Sequence, residues 1–229
     1  MKRRHALLMA LSTAPLTALL AGLAVPAGVS LAAGLPPLVA AAEAGDLAAL
    51  RRLLDAGAAI DQRDGRGRTA LLAATHANRV DAARLLIERG ADVNAKDAID
   101  DSPYLYAAAE GRLEILRLAL AAGADLKSTN RYGGTGLIPA AHHGHVEVVR
   151  ELLKTATPID HVNRLGWTAL LEAVILGDGG AAHTEIVRAL VAAGADVNRA
   201  DRQGVTPLAH ARQRGQRAIA EILQRAGGR

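Results

Sequence analysis

The sequence predicts an all-α fold: a solenoid of about six stacked helix-turn-helix repeats with projecting β-hairpin loops. The 229 residues are 50% hydrophobic but only 2% aromatic. Much of the apolar content is Ala and Leu, which suits closely packed helices better than a sheet core. Two short motifs also recur in one register, and such internal repetition is typical of solenoids, in which each unit packs on its neighbours.

The first motif starts each repeat with a hydroxyl residue. It begins at Thr69, Ser102, Thr135, Thr168 and Thr206, with three intervals of 33 residues followed by one of 38. The same step back from Thr69 leads to Pro36, the start of a degenerate first copy. We expect the hydroxyl to cap the first helix and the prolines after it, at 37, 103 and 207, to occupy the first helical position.

The second motif is a glycine that ends the second helix of a repeat. These glycines are Gly57, Gly90, Gly123 and Gly194, and we expect each of them to adopt a left-handed conformation that other residues resist. The two motifs together predict a repeat domain over residues 35–229. Its repeats are predicted at 35–63, 64–96, 97–129, 130–162, 163–200 and 201–229.

These motifs resemble the T-P-L-H-x-A and G-A-D-V-N elements of the ankyrin repeat, and the resemblance covers roughly residues 35–229. It implies a protein–protein interaction module without catalytic residues, which binds through hairpin tips and the late part of each first helix. Carried over by alignment, the candidate partner-binding residues are Arg66, Arg68, His76, Arg131, Tyr132, His142, His143, Arg164, Trp167 and Ile175. Tyr132 and Trp167 are of the type found in interface hot spots, although Trp167 could instead pack between two repeats.

Two repeats depart from the pattern. In repeat four, Pro139 removes a backbone donor from the first helix, and Ala156-Thr157-Pro158 replaces the glycine motif. Repeat five carries five extra residues within 176–183. We expect an elongated loop between its helices, which either adds binding surface or is a neutral length variant.

Several functional classes are disfavoured by the sequence. The chain has no Cys, so it has neither a disulfide nor a Cys-containing zinc site. His142, His143 and His145 suggest a metal site, but adjacent helical residues diverge by about 100°, and we expect neither a metal nor a cofactor. No nucleophile–base pair is apparent, so a metal-dependent hydrolase is less favoured than a small-molecule or peptide sensor that binds in the concave groove.

The charge of the chain also bears on its partners. Beyond Lys2, Arg3 and Arg4, 24 Lys and Arg face 23 Asp and Glu, so the body is near neutral and nucleic acid is not an expected partner. We therefore expect the protein to be a monomer whose partner is another protein.

The N-terminus indicates export. A basic start precedes an apolar stretch over residues 6–25, and small residues follow it. This order predicts a signal peptide over residues 1–32, cleaved near Ala32, and a periplasmic or secreted protein that has no membrane contact after cleavage. An uncleaved anchor is the alternative, because about 20 apolar residues can span a bilayer. The Arg3-Arg4 pair also leaves a twin-arginine export route open.

Overall fold

Residues 35–229 are described by a computed structural model of the chain. The predicted signal peptide, residues 1–32, and its cleavage site near Ala32 lie outside the described residues. Twelve α-helices and no strand are present within 35–229. No helix in this range is long and apolar enough to cross a membrane.

The helices form six pairs, one for each repeat, which confirms the predicted fold class. The first helices of the pairs are α1 (Pro37–Ala44), α3 (Ala70–His76), α5 (Pro103–Ala109), α7 (Leu137–His142), α9 (Ala169–Ile175) and α11 (Pro207–Gln213). The second helices are α2 (Leu47–Asp55), α4 (Val80–Glu88), α6 (Leu113–Ala121), α8 (Val146–Leu153), α10 (Ala181–Ala192) and α12 (Arg217–Arg225).

Each helix packs on the corresponding helix of the next repeat, so the molecule has a row of first helices and a row of second helices. The inner first helices are largely buried because they contact a neighbouring first helix on each side; six of the seven residues of α3 are buried. The motif alanines, such as Ala107 and Ala173, are fully buried, which allows the first helices to approach closely. Second helices bury one face and expose the other.

The predicted hydroxyl caps are present in repeats two, three, five and six. In each, the Thr or Ser oxygen accepts a hydrogen bond from the backbone N–H three residues later, as in the 3.2 Å bond from Leu72 to Thr69. The glycines at 57, 90, 123 and 194 have φ values between 83° and 89°. The predicted left-handed helix ends are therefore confirmed.

Repeat four lacks this cap, and Pro139 explains why. In the other capped helices, the carbonyl of the cap residue accepts a hydrogen bond from the N–H four residues later, but Pro139 has no N–H to donate. The Ile138 N–H bonds to the Thr135 carbonyl instead, at 3.1 Å, and is no longer available to the Thr135 hydroxyl. That hydroxyl oxygen is buried without a hydrogen-bond partner, and α7 begins only at Leu137.

A ladder of side-chain hydrogen bonds joins successive repeats after each second helix. A side-chain oxygen of Asp61, Asn94, Asp160 or Asn198 accepts from a backbone N–H of the following repeat, at 2.8–3.1 Å. The equivalent pair between repeats three and four is Lys127 and Pro158. Lysine offers no acceptor and proline no donor, so this one rung is absent within the described repeats.

Charge is distributed unevenly over the repeats. Residues 35–200 contain 21 acidic residues against 18 Lys and Arg, whereas residues 201–229 contain six Arg against two acidic residues. All six of these arginines are exposed, and within the described chain only Arg225 forms an ion pair, with Glu221. The near-neutral body therefore has a strongly basic last repeat.

Candidate binding site

A cleft of about 390 Å³ lies between the hairpin loops and the first helices of repeats three to five. The hairpin loops contribute Asp101, Asn130, Arg131, Tyr132, Gly134, Asn163 and Leu165 to its walls. The first helices and the residues that follow them contribute Tyr106, Ala109, Glu110, Ile138, Pro139, His142, His143, Glu172 and Leu176.

Each hairpin loop is shaped by the Asp or Asn that begins it. Its side-chain oxygen accepts backbone N–H bonds from the residues two and four positions later; Asn163, for example, accepts from Leu165 and Trp167, both at 3.0 Å. Asn130 accepts from Tyr132 and Gly134 in the same way. This local closure holds the residue at the second position at the tip of the loop.

The tip position carries a large apolar residue in three successive repeats. Ile99, Tyr132 and Leu165 occupy it, with exposed fractions of 51%, 56% and 50%. The loops of repeats four and five are joined by a 2.9 Å bond from the Arg164 N–H to the Tyr132 carbonyl. We call these three side chains the hairpin ridge.

Glu172 is a buried carboxylate in the cleft wall, with only 5% of its surface exposed. Its Oε1 accepts a 2.7 Å hydrogen bond from Asn163 Nδ2, and its Oε2 lies 3.5 Å from His142 Nδ1. Burial raises the pKa of the Glu172 carboxyl to about 7 and lowers the pKa of His142. The contact between them therefore joins two groups that burial pushes toward their neutral forms, and it is not a strong ion pair.

Arg131 is held in the cleft wall by the hairpin loop of repeat four. Its guanidinium forms a 3.0 Å ion pair with Asp101 and lies over the Tyr132 ring, 5.1 Å from the ring centroid. Burial raises the pKa of Asp101, and Arg131 acts against that rise. The positive charge of Arg131 is thus already shared between a carboxylate and an aromatic face.

The structure brings four of the predicted binding residues into the cleft: Arg131, Tyr132, His142 and His143. Arg164 does not line the cleft and donates to the Arg131 carbonyl at 2.8 Å. Trp167 and Ile175 are half-buried and do not line the cleft.

The predicted residues of repeat two have different surroundings. Arg66 is exposed at its loop tip, and His76 stacks on the Tyr106 ring at 3.8 Å. Arg68, expected to contact a partner, is buried and pairs with Asp64 at 2.8 Å and with Glu43 at 3.5 Å. Arg68 therefore holds its own hairpin loop, and it is removed from the candidate surface.

Glu172 and Asn163 are not among the residues predicted from the sequence. The signal that could have identified them is their nine-residue spacing, because Asp201 and His210 have the same spacing and also form a hydrogen bond, at 2.7 Å. In repeat five the hairpin residue donates to the helix residue. In repeat six the roles are reversed, since the hairpin residue accepts.

Three histidines of repeats four and five contact backbone carbonyls of the preceding repeat. His143 Nδ1 and His145 Nε2 both contact the Ala109 carbonyl, at 2.6 and 3.1 Å, and His183 Nε2 contacts the His142 carbonyl at 2.9 Å. These carbonyls lie at first-helix ends, where no partner exists within the helix. Across residues 35–229, no group of three potential ligands is placed to hold a metal ion.

The insertion in repeat five is not wholly a loop, contrary to the prediction for residues 176–183. Residues 181–183 belong to α10, which has 12 residues where other second helices have eight or nine. Asp178 accepts from the Gly180 N–H at 2.8 Å and lies equally close to the His183 ring. These contacts order the turn before α10, so alanines 181 and 182 can extend the helix.

Comparisons with known proteins agree with this architecture. A family model described as ankyrin repeats (3 copies) matches residues 8–97 and 104–201. A crystal structure of an ankyrin repeat domain from Acinetobacter baumannii AYE is 57% identical, with a TM-score of 0.82, over 84% of this chain and 98% of that one. No curated protein matches.

Two further solved structures are also similar. The ankyrin repeat protein EF0377 is 42% identical, with a TM-score of 0.79, over 82% of this chain and 96% of its own. The ankyrin repeat domain of Bcl-3, a member of the IkappaB family, is 28% identical, with a TM-score of 0.77, over 86% and 88% of the two chains.

Proposed function

Because the chain belongs to the ankyrin-repeat family, we propose that it is a monomeric, non-enzymatic module that binds another protein through its cleft and hairpin ridge. Ankyrin repeat domains generally mediate protein–protein interactions. The observation that carries the proposal for this chain is the hairpin ridge itself, in which three adjacent repeats expose a large apolar side chain at one position. Contiguous exposed apolar surface of this kind marks interaction sites.

The surroundings of the ridge support this role. Tyr132 and the arginine above its ring have the composition of an interface hot spot. The loops are held by their own Asp or Asn side chains, so little conformational entropy remains to be lost when a partner binds. A rigid ridge beside a cleft is therefore well suited to protein recognition.

A peptide or small-molecule sensor is the second candidate, and the cleft volume favours it. At about 390 Å³ the cleft lies within the range of about 300–1,000 Å³ that is common for ligand sites. A metal-dependent hydrolase finds less support, because residues 35–229 offer no group of three potential ligands placed to hold a metal ion.

The test begins with a photo-crosslinking residue in place of Tyr132, and a control protein carries the same residue in place of the exposed Arg188. A partner that crosslinks from position 132 but not from 188 is then purified. Tyr132→Ala and Leu165→Ala should each weaken its binding by at least about 30-fold, measured by calorimetry. Val162→Ala, which truncates an exposed apolar residue outside the cleft, should change binding little. Equal effects from all three substitutions would refute the proposed surface.

We also propose that the protein is exported to the periplasm or secreted. The support is the sequence of residues 1–32 alone, with its basic start, apolar stretch and small residues. Intact-mass measurement of protein from the native host should give a chain that begins near Ala33. A full-length chain recovered from the membrane fraction would favour the uncleaved anchor instead.

A further inference from the structure

We infer that the cleft selects a partner segment in which a lysine or arginine lies among apolar residues, with its cationic group at Glu172 and its apolar neighbours on the hairpin ridge. The inference rests on the proposed function and adds the chemistry of the partner. It follows from the state of Glu172, the charge of the cleft walls and the apolar surface beside them.

Glu172 is a buried carboxylate that is only partly compensated. Asn163 supplies its one hydrogen bond from within residues 35–229. The neighbour of Oε2 is the His142 ring at 3.5 Å, and no Lys or Arg of the described chain pairs with either oxygen. Burial of a carboxylate is costly unless a cation or several donors accompany it. A cationic side chain that enters the cleft would supply what the folded protein lacks.

The carboxylate is also held in place before any ligand arrives. The Asn163 oxygen already accepts from the N–H groups of Leu165 and Trp167, so its amide nitrogen remains to donate to Glu172. The same side chain thus orders the hairpin loop and orients the carboxylate. A preorganised acceptor of this kind binds a cation at a lower entropic cost than a mobile one.

The charge of the cleft walls favours a cation as well. The walls contain three carboxyl groups, those of Asp101, Glu110 and Glu172, and Arg131 is their only Lys or Arg. Arg131 is already paired with Asp101 at 3.0 Å. His142 and His143 also face Glu172, and burial favours the neutral form of His142 by lowering its pKa. With Arg131 paired to Asp101, no Lys or Arg of the cleft walls compensates Glu110 and Glu172, and a cationic segment is complementary to these carboxyl groups.

The remaining surface fits the apolar part of such a segment. Tyr132 and Leu165 form one side of the cleft, and Ile138 and Leu176 contribute apolar surface from the helix side. Lysine and arginine stems pack well on surface of this kind while the charged group reaches a polar partner. Apolar residues on either side of the cation would contact the ridge.

The experiment selects a phage-displayed library of random peptides on the full chain. Peptides recovered on the wild-type protein should share a lysine or arginine flanked by apolar residues. The best lysine peptide should bind about 30-fold or more tightly than its norleucine analogue. On Glu172→Gln that ratio should fall to near one. On Glu88→Gln, which removes an exposed carboxylate outside the cleft, the ratio should be kept.

Other outcomes would overturn the inference. Peptides without a shared basic residue, or an absence of enriched peptides on the wild-type protein, would refute the cationic site. An equal loss of the ratio in both variants would show that only long-range charge is sensed. If the norleucine peptide binds as tightly as the lysine peptide while Tyr132→Ala weakens both, the proposed interaction surface stands and only the cationic site is refuted.

Discussion

At Gly90 the chain leaves α4 with a φ of 89°, and a Cβ built there would meet no atom within 4 Å. A side chain at this position is therefore opposed by the backbone conformation alone. We expect Gly90→Ala to lower the free energy of unfolding by about 1–2 kcal/mol, measured by urea denaturation.

Gly65 is the matched control for this substitution. It is equally open but has no positive φ, so Gly65→Ala should be neutral or stabilise by about 0.4–1 kcal/mol through the unfolded state. If the two substitutions cost the same, the cost at Gly90 does not come from its backbone.

The raised pKa of Glu172 should make the stability of the protein depend on pH. Its pKa is raised from 4.5 to about 7 in the folded protein, so the folded state holds more protons than the unfolded state between these values. The contribution of Glu172 to stability should therefore fall as the pH rises through this window, by roughly 3 kcal/mol in total. Glu172→Gln removes the effect: it should stabilise the protein at about pH 8 and change little at pH 4.5, in urea denaturation at both values.

Glu110→Gln should show no comparable difference between the two pH values, since Glu110 is exposed. A Glu172→Gln protein that is less stable than wild type at about pH 8 would mean that the buried carboxylate is already compensated in the folded state. That result would also remove the main argument for a cationic partner.

Among the elements, α7 is limited by Pro139. An alanine at this position restores the N–H that bonds the Thr135 carbonyl and frees the Ile138 N–H for the Thr135 hydroxyl. Pro139→Ala should therefore raise the free energy of unfolding by about 1–2 kcal/mol in urea denaturation. In a crystal structure of the variant, α7 should begin at Gly136.

Pro103→Ala is the matched control, because Pro103 occupies the first helical position, where no N–H is needed. We expect no gain in stability from it. A gain of equal size at Pro103 would show that the missing cap of repeat four is not the cause.

The elements that the sequence predicted correctly depend on local chemistry. Thr69 caps α3 and Gly123 terminates α6 through interactions within a few residues, so the sequence of a single repeat is enough to predict both. Arg68 and Glu172 also depend on contacts with the preceding repeat, those of Arg68 with Glu43 and of Glu172 with His142. Arg68 and Trp167 hold the same position in their repeats, yet Arg68 is buried and paired with Asp64 and Glu43 whereas Trp167 is only half-buried, so the position within the repeat does not by itself predict the contacts of the side chain.

The length of α10 was missed for a related reason. Its five extra residues include glycines, which indicate a loop, but Asp178 and His183 order the turn and leave the alanines free to join the helix. This pairing between residue types five positions apart can be recognised only after the helix start is known.

At the scale of the whole molecule, the repeats are joined by a ladder that lacks one rung. At the missing rung, Lys127 has no side-chain acceptor and Pro158 has no backbone N–H. Restoring only one of the two groups therefore forms no hydrogen bond. Lys127→Asn alone and Pro158→Asp alone should therefore gain little. The double variant should gain about 0.5–1.5 kcal/mol more than the sum of the two, measured as a double-mutant cycle in urea. Additive effects would show that the rung does not form.

The six exposed arginines of the last repeat give the solenoid an electrical polarity along its length, since the repeats before it carry an excess of acidic residues. A solenoid with such an electric dipole experiences a torque in the electric field of an approaching charged molecule. An elongated partner with its own charge gradient would be turned end for end before the surfaces touch. The direction in which the partner lies along the repeats is then set during its approach. Added salt shortens the range of the electric field to about 3 Å at 1 M, so it would remove the preference for one direction while leaving the apolar contacts in place.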